Sequence, residues 1–248
     1  MKILVAVAHV PDTETKVKIS ADNISIDAAG INYMLNPYDE YAIEEGLKCK
    51  EKFGGEVVVI SVGGDNAKES IRKSLAMGCD KGVLLKINST VDSNGVATLI
   101  SDYAKNYQPD LILFGKQSID YDSSFVGGAV AEFLNIPSIS VVVKMEIENN
   151  LITATREIEG GVEIVNANLP AVILAQKGLN NPRYPSLKGI MESKRKPIEE
   201  IIVAQPENIV EVKLLKTPAP KPAGKILGSD SSVVPELIKL LHEEAKVI

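Results

Sequence analysis

Residues 110–134 read DLILFGKQSIDYDSSFVGGAVAEFL, and the choice of fold turns on them. An apolar run from Leu111 to Phe114 breaks at Gly115 into a polar loop carrying Lys116, Gln117, Ser118, Asp120 and Asp122. Ser123 and Ser124 lead out of the loop. Val126, Ala129, Val130, Phe133 and Leu134 then recur at the three- and four-residue spacing of a helical face. The pattern predicts a buried strand, a polar loop and a serine-capped helix. Free backbone N–H groups in the first turn, together with the helix dipole, suit such a junction to an anion. The same pattern is also an ordinary strand-to-helix connection, and the rest of the chain decides between the two.

Upstream, residues 3–8 (ILVAVA) form a continuous apolar run of the kind found in strands covered on both faces. Pro11 stops it, and residues 16–27 read as a short hairpin. Asn36 and Pro37 open a helix as N-cap and first helical residue, with Asp39 in the acid-favouring first turn. Ala42, Gly46, Cys49 and Phe53 continue one face of it. Residues 57–62 (VVVISV) are the next strand, ending at Gly63-Gly64. Asp65 then caps a helix whose inward side carries Ala67, Ile71, Ser74 and Leu75 and which stops at Gly78. Residues 82–86 give another strand, and Val96, Leu99, Ile100, Tyr103, Ala104 and Tyr107 another helix. Strand and helix alternate strictly, which predicts an α/β fold with a parallel, doubly wound sheet. Ligands of such sheets lie beyond the carboxyl ends of the strands. The loops after Ala8, Val62 and Gly115 would gather there, with Asn36-Pro37 entering from the side.

From residue 137 the texture changes. Residues 137–175 alternate as strands, with turns at Asn149-Asn150 and Gly160-Gly161, and predict an antiparallel ribbon and a return strand at 170–175. Residues 177–197 form an exposed loop running into a short helix. Residues 217–224 (TPAPKPAG) are a stiff linker, and Val234, Leu237, Ile238 and Leu241 give the last helix an apolar face without an evident partner. The expected division is an α/β domain over 1–197 and a C-terminal arm over 198–248, which either folds back or, as the stiff linker favours, reaches across to a partner subunit.

The net charge of −6 offers no basic surface for nucleic acid, and no polybasic patch marks a membrane. The opening run is too short to span a bilayer and lacks a signal-cleavage pattern. A cytoplasmic protein is expected, or one of the mitochondrial matrix if the source is eukaryotic. Cys49 and Cys79 are the only cysteines and each sits in an apolar pattern, as buried thiols do. His9 and His242 are the only histidines, too few for a histidine metal site or triad. Nucleophile elbows, Walker loops and dinucleotide fingerprints are absent. Asp120 and Asp122 could form an acid–base pair, but aspartates beside a helix start more often cap or shape the loop. The composition therefore favours a binding site over an active site. A second feature is Arg183-Tyr184-Pro185-Ser186-Leu187-Lys188, where Leu187 is either plain surface or an anchor for a partner's pocket.

These residues resemble the beta subunit of electron transfer flavoprotein. The landmarks are Val5-Ala6-Val7, Met34-Leu35-Asn36-Pro37, Ser61-Val62-Gly63 and Ala76-Met77-Gly78-Cys79-Asp80. They continue with Gly115-Lys116-Gln117-Ser118-Ile119-Asp120, the signature segment Arg156–Glu163, then Pro170-Ala171-Val172 and Pro182-Arg183-Tyr184. The resemblance implies a heterodimer with an alpha subunit that holds most of a redox-active FAD. Electrons would pass from acyl-CoA dehydrogenases or related flavin dehydrogenases to a quinone oxidoreductase or another acceptor. It also implies a structural AMP in the beta subunit. The AMP-contacting positions fall on Ala6, on Asn36, Pro37, Tyr38 and Asp39, on Val62, and on Gly115, Lys116, Gln117, Ser118, Asp120, Asp122, Ser123, Ser124, Phe125 and Val126. The dehydrogenase-recognition loop falls on Arg183, Tyr184, Leu187, Ile190 and Met191, with Leu187 as its anchor. No catalytic residue and no metal is implied.

The chain departs from the family's pattern in places. Ser124, Phe125 and Val126 stand where AMP-binding members carry asparagine, glutamine and threonine. Tyr121 replaces the small glycine of electron-bifurcating members, which bind a second FAD here, although Ser123, Val126 and Gly127 resemble that version. Thr13 stands where the family places the aromatic residue that approaches the flavin. Three alternatives remain at this point: an empty beta-subunit site, a bifurcating member with a second FAD, and a stand-alone nucleotide-binding α/β protein.

Overall fold

The computed structural model describes residues 1–221 and 223–248. A nine-stranded sheet organises it. In chain order the elements are β1 (Lys2–Ala6), β2 (His9–Pro11), β3 (Tyr33–Leu35), α1 (Pro37–Phe53), β4 (Glu56–Gly63), α2 (Lys68–Met77), β5 (Lys81–Lys86), α3 (Ser93–Tyr107), β6 (Leu111–Gly115) and α4 (Phe125–Leu134). There follow β7 (Ser138–Glu148), β8 (Leu151–Ile158), β9 (Gly161–Asn168), β10 (Ala171–Ala175), α5 (Leu187–Ser193), β11 (Ile198–Ile202) and α6 (Val234–Glu243). The sheet order is β11-β5-β4-β1-β6-β10-β7-β8-β9, and β2 and β3 form a separate two-stranded ribbon. Pairing is parallel from β11 through to β7 and antiparallel across β7, β8 and β9. The expected α/β class, parallel sheet and ribbon are all present.

Period-two alternation gives the sheet its two covered faces. Ile3, Val5, Val57 and Val59 pack with Ile43 and Leu47 of α1 and Ile71 and Leu75 of α2. Leu4, Ala6, Val58 and Ile60 pack on the other side with Ala97, Ile100 and Ala104 of α3 and Val130 of α4. Ile3, Leu4 and Val5 are fully buried, and each contributes about 1.5–3 kcal/mol relative to exposure. Phe53 and Phe133 are exposed instead of lying on their helices' inner faces. Cys49 and Cys79 are free and buried, and burial pushes both thiols up to about 12, so neither is a thiolate at neutral pH.

Several local expectations are corrected. Residues 16–27 make an isolated bridge between Ile19 and Ile26, not a regular hairpin. Asp65 starts a short 3-10 turn ahead of α2, and its carboxylate pairs with Lys68 and Lys86. Residues 198–202 form the edge strand β11, beside β5. Beyond it the chain is strapped to the start of α3: the Asp92 carboxylate accepts from Ile209 N and Val210 N at 2.8 and 2.9 Å. Pro222, within the expected linker 217–224, lies outside the described residues. No residue of α6 is buried, and Val234, Leu237 and Ile238 are about half exposed.

Candidate functional site

From β1 the chain steps outward to β4 and β5 on one side, then returns to β6 on the other. The strand order therefore reverses between β1 and β6, and in such sheets the crevice for a ligand is the one outside the carboxyl ends at this switch point. Ala6 ends β1, Val62 lies at the end of β4, and Gly115 ends β6. The start of α1 is tied to this place by two side chains. Asn36 occupies the N-cap position of α1 but makes no capping bond. Its amide donates to the Gln117 carbonyl at 3.0 Å and to Asp39 Oδ1 at 2.9 Å, and its own oxygen accepts from Ile119 N at 3.3 Å. Asn36 thus clamps the 116–119 loop, where capping was expected.

Asp39 is the second tie. Its carboxylate accepts from Ala8 N at 2.8 Å and from Gly115 N at 3.1 Å, joining the loops after β1 and β6 to α1. Only 5% of the residue is exposed. Burial pushes the carboxyl up to about 7, against the pull of its hydrogen bonds from Ala8, Asn36 and Gly115. Gly115 must be glycine, because an added Cβ would stand 2.5 Å from Asp39 Oδ1 and 2.6 Å from Tyr38 Cβ. Lys116 Nζ lies 5.1 Å from the centre of the Tyr38 ring, within cation–π range.

The 116–124 loop is closed by its own polar groups. Ser118 N donates to Ser123 O at 3.0 Å. Gln117 Nε2 donates to Asp122 Oδ1 at 2.9 Å, and Asp120 Oδ1 accepts from Ser118 Oγ and Tyr121 N. Both carboxylates shape the loop, which leaves the acid–base pair without support. Ser124 is the residue before α4 but makes no capping bond, contrary to expectation. Ser123 Oγ lies 3.2 Å from Ser93 Oγ at the start of α3. Among the described residues the first-turn N–H groups of α4 therefore have no side-chain acceptor, which is the electrostatic condition for an anion there. Phe125 is half exposed and Val126 is partly buried beside the α3–α4 core. Among the described residues no His, Cys, Asp and Glu cluster could hold a metal.

Arg183, Tyr184, Leu187, Ile190 and Met191 lie apart from the crevice, on the segment that runs from β10 across α1 into α5. Tyr184 is 94% exposed, Leu187 84% and Met191 70%. Ser186 caps α5, its Oγ accepting from Gly189 N at 3.0 Å. Arg183 is not free surface: it forks onto the Glu44 carboxylate at 2.8 and 2.9 Å and reaches Glu51 at 2.7 Å. Glu44 carries no motif that marks it in the sequence. The only hint was a Glu-Glu doublet on the buried side of a helix, where carboxylates need partners.

The family model described as electron transfer flavoprotein domain matches residues 24–206. The electron transfer flavoprotein subunit beta of Bacillus subtilis (strain 168) is 42% identical over 260 aligned residues, spanning 100% of both chains. The chain belongs to the electron transfer flavoprotein beta-subunit family. The subunit beta of Bradyrhizobium diazoefficiens is similar to it at 40% identity and the mitochondrial subunit beta of Arabidopsis thaliana at 35%, each over 100% of both chains. In this electron transfer flavoprotein subunit the crevice and the exposed 184–191 surface flank one helix, α1, whose first turn faces the former and whose later acids face the latter.

Proposed function

We propose that the chain pairs with an electron transfer flavoprotein alpha subunit and helps enclose an FAD held mainly by that partner. The heterodimer carries electrons from acyl-CoA dehydrogenases or similar flavin dehydrogenases to a quinone oxidoreductase or another acceptor. The flavin supplies the redox chemistry, and this subunit contributes orientation and electrostatics without catalytic residues of its own. The apolar face of α6, exposed on this chain, packs on the alpha subunit, and so large an uncovered face speaks against a stand-alone protein. Work in the cytoplasm, or in the matrix of a eukaryote, agrees with the lack of any described helix long and apolar enough to cross a membrane.

The crevice between β1 and β6 holds a structural AMP. The observation that carries this is the junction of Ala8, Asn36, Asp39, Gly115 and Gln117 by direct hydrogen bonds, which makes one rigid rim from three separate loops. Phe125 and Val126 bring no polar side chain to a phosphate, so the backbone and the serines must supply its contacts. Backbone N–H groups of Phe125 and Val126 on the uncapped helix, with the Ser123 and Ser124 hydroxyls, hold the phosphate. Ala6, the Asn36–Asp39 turn and Val62 line the nucleoside. Denaturing the purified heterodimer and identifying the released nucleotides tests this. One FAD and one AMP are expected, whereas two FAD and no AMP would replace this reading with the bifurcating one. The Tyr184–Met191 surface docks the dehydrogenase. Leu187→Ala should slow flavin reduction by the dehydrogenase with flavin content unchanged.

A further inference from the structure

The carboxylate of Glu44 is spent entirely on one partner. Glu44 is 6% exposed on the buried side of α1, where an unpaired carboxylate would be costly. Arg183 donates to it three times: Nε to Oε2 at 2.8 Å, Nη2 to Oε1 at 2.9 Å, and its own backbone N to Oε2 at 3.1 Å. This is the planar fork that only arginine makes. Next to it, Glu45 Oε2 and the Tyr41 carbonyl both accept from Asn180 Nδ2 at 2.9 Å. The far end of the segment is fixed as well. Arg72 donates to the carbonyls of Ser193 and Lys196, and Lys196 Nζ donates to the Cys79 carbonyl at 2.6 Å. Gly189 sits so close over the last turn of α2 that a Cβ there would lie 2.4 Å from the Ala76 carbonyl oxygen. Between the two anchorages stand Tyr184, Leu187 and Met191, the most exposed apolar side chains of the segment.

We infer that Glu44, through its fork to Arg183, is a positioning residue that holds the Tyr184–Met191 surface in its docking geometry before a partner arrives. An exposed apolar surface held at both ends loses little freedom on binding, so its contacts go into affinity and not into ordering. The inference rests on the docking role proposed for Leu187.

The test uses the purified heterodimer with its flavin, reduced by an acyl-CoA dehydrogenase of the source organism that reduces the wild type. Glu44→Ala should raise the KM for the heterodimer about tenfold with kcat and FAD content unchanged. Amide exchange across residues 183–192 should quicken. In a Leu187→Ala background the same substitution should add no further rise, because both act through one contact. If Glu44→Ala does not assemble, Arg183→Lys, which keeps the charge and loses the fork, should give the KM rise. A KM at the wild-type value in Glu44→Ala or its substitute, with Leu187→Ala raising it, overturns the positioning role and leaves docking intact. A Leu187→Ala heterodimer that behaves as wild type overturns the docking reading and this inference with it.

Discussion

Replacing Asp39 by alanine isolates what one buried carboxylate does at the crevice. The change removes the acceptor of Ala8 N, of Gly115 N and of one Asn36 amide hydrogen. Gly115 and Asn36 are buried, and a buried donor left without a partner costs about 1–3 kcal/mol. Losing a carboxylate whose ionised form is disfavoured by burial offsets part of that. A net loss of about 2–4 kcal/mol follows, equivalent to a fall of about 5–15 °C in melting midpoint for a chain of this size. The assay is thermal denaturation of the purified heterodimer, with amide exchange at Ala8 and Gly115 read alongside because a two-subunit melt need not be two-state. Asp39→Asn, which keeps one acceptor oxygen, should fall between the two. A midpoint for Asp39→Ala within about 2 °C of wild type, with both amides as protected as before, would refute the claim that this side chain ties the loops together.

Two further outcomes follow from the same rim. The folded-state carboxyl of Asp39 sits at about 7 against an ordinary 3.8, so between these values the folded chain keeps a proton that the unfolded chain releases. Its contribution to stability is therefore full below 3.8, declines as the pH rises to about 7, and is level beyond that. The midpoint of wild type relative to Asp39→Asn should drop between pH 5 and pH 8, and a constant difference over that range would count against a raised carboxyl. Gly115→Ala would force a methyl against Asp39 Oδ1 and Tyr38 Cβ, at 2.5 and 2.6 Å. Overpacking of this kind costs about 1–3 kcal/mol, so the variant should melt lower than wild type and, under the proposed AMP site, release less of that nucleotide per heterodimer.

The parts of this fold that were legible in the sequence are those governed by local periodicity. Unbroken apolar runs at 3–8, 57–62 and 111–114 mark strands covered on both faces, and their alternation with helical faces dictates a parallel sheet. From that topology it follows which loops share an edge. What escaped depends on contacts between distant residues. Asn36 before Pro37 reads as a helix cap, yet its amide is drawn to a carbonyl 81 positions away. Ser124 has a capping residue's identity without a capping bond, since φ −104° and ψ 12° are not the extended values of a typical N-cap. Residues 198–202 show no clean alternation, and as β11 they are held at the sheet edge partly by charge, Glu199 to Lys81 and Glu200 to Lys68. The pairing of Glu44 with Arg183 spans 139 positions and leaves no mark on either local pattern.

Helix α1 has a consequence for how such a chain can change over time. Gly46 lets it lie so near the sheet that an added methyl would meet Val5 Cγ2 at 3.1 Å and Leu113 Cδ1 at 3.3 Å, which fixes the helix against sliding. Asp39 faces the crevice, and Glu44 and Glu51 face the Arg183 segment. From Asp39 to Glu51 the axial distance is about 18 Å, set by the helical rise alone. One residue inserted between Asp39 and Glu44 would swing Glu44 by about 100° and break the fork, or else shift Asp39 out of reach of Gly115. Residue identities along α1 can drift where side chains meet water, but its length between those acids cannot. The helix is a ruler, and descent can repaint a ruler without moving its marks.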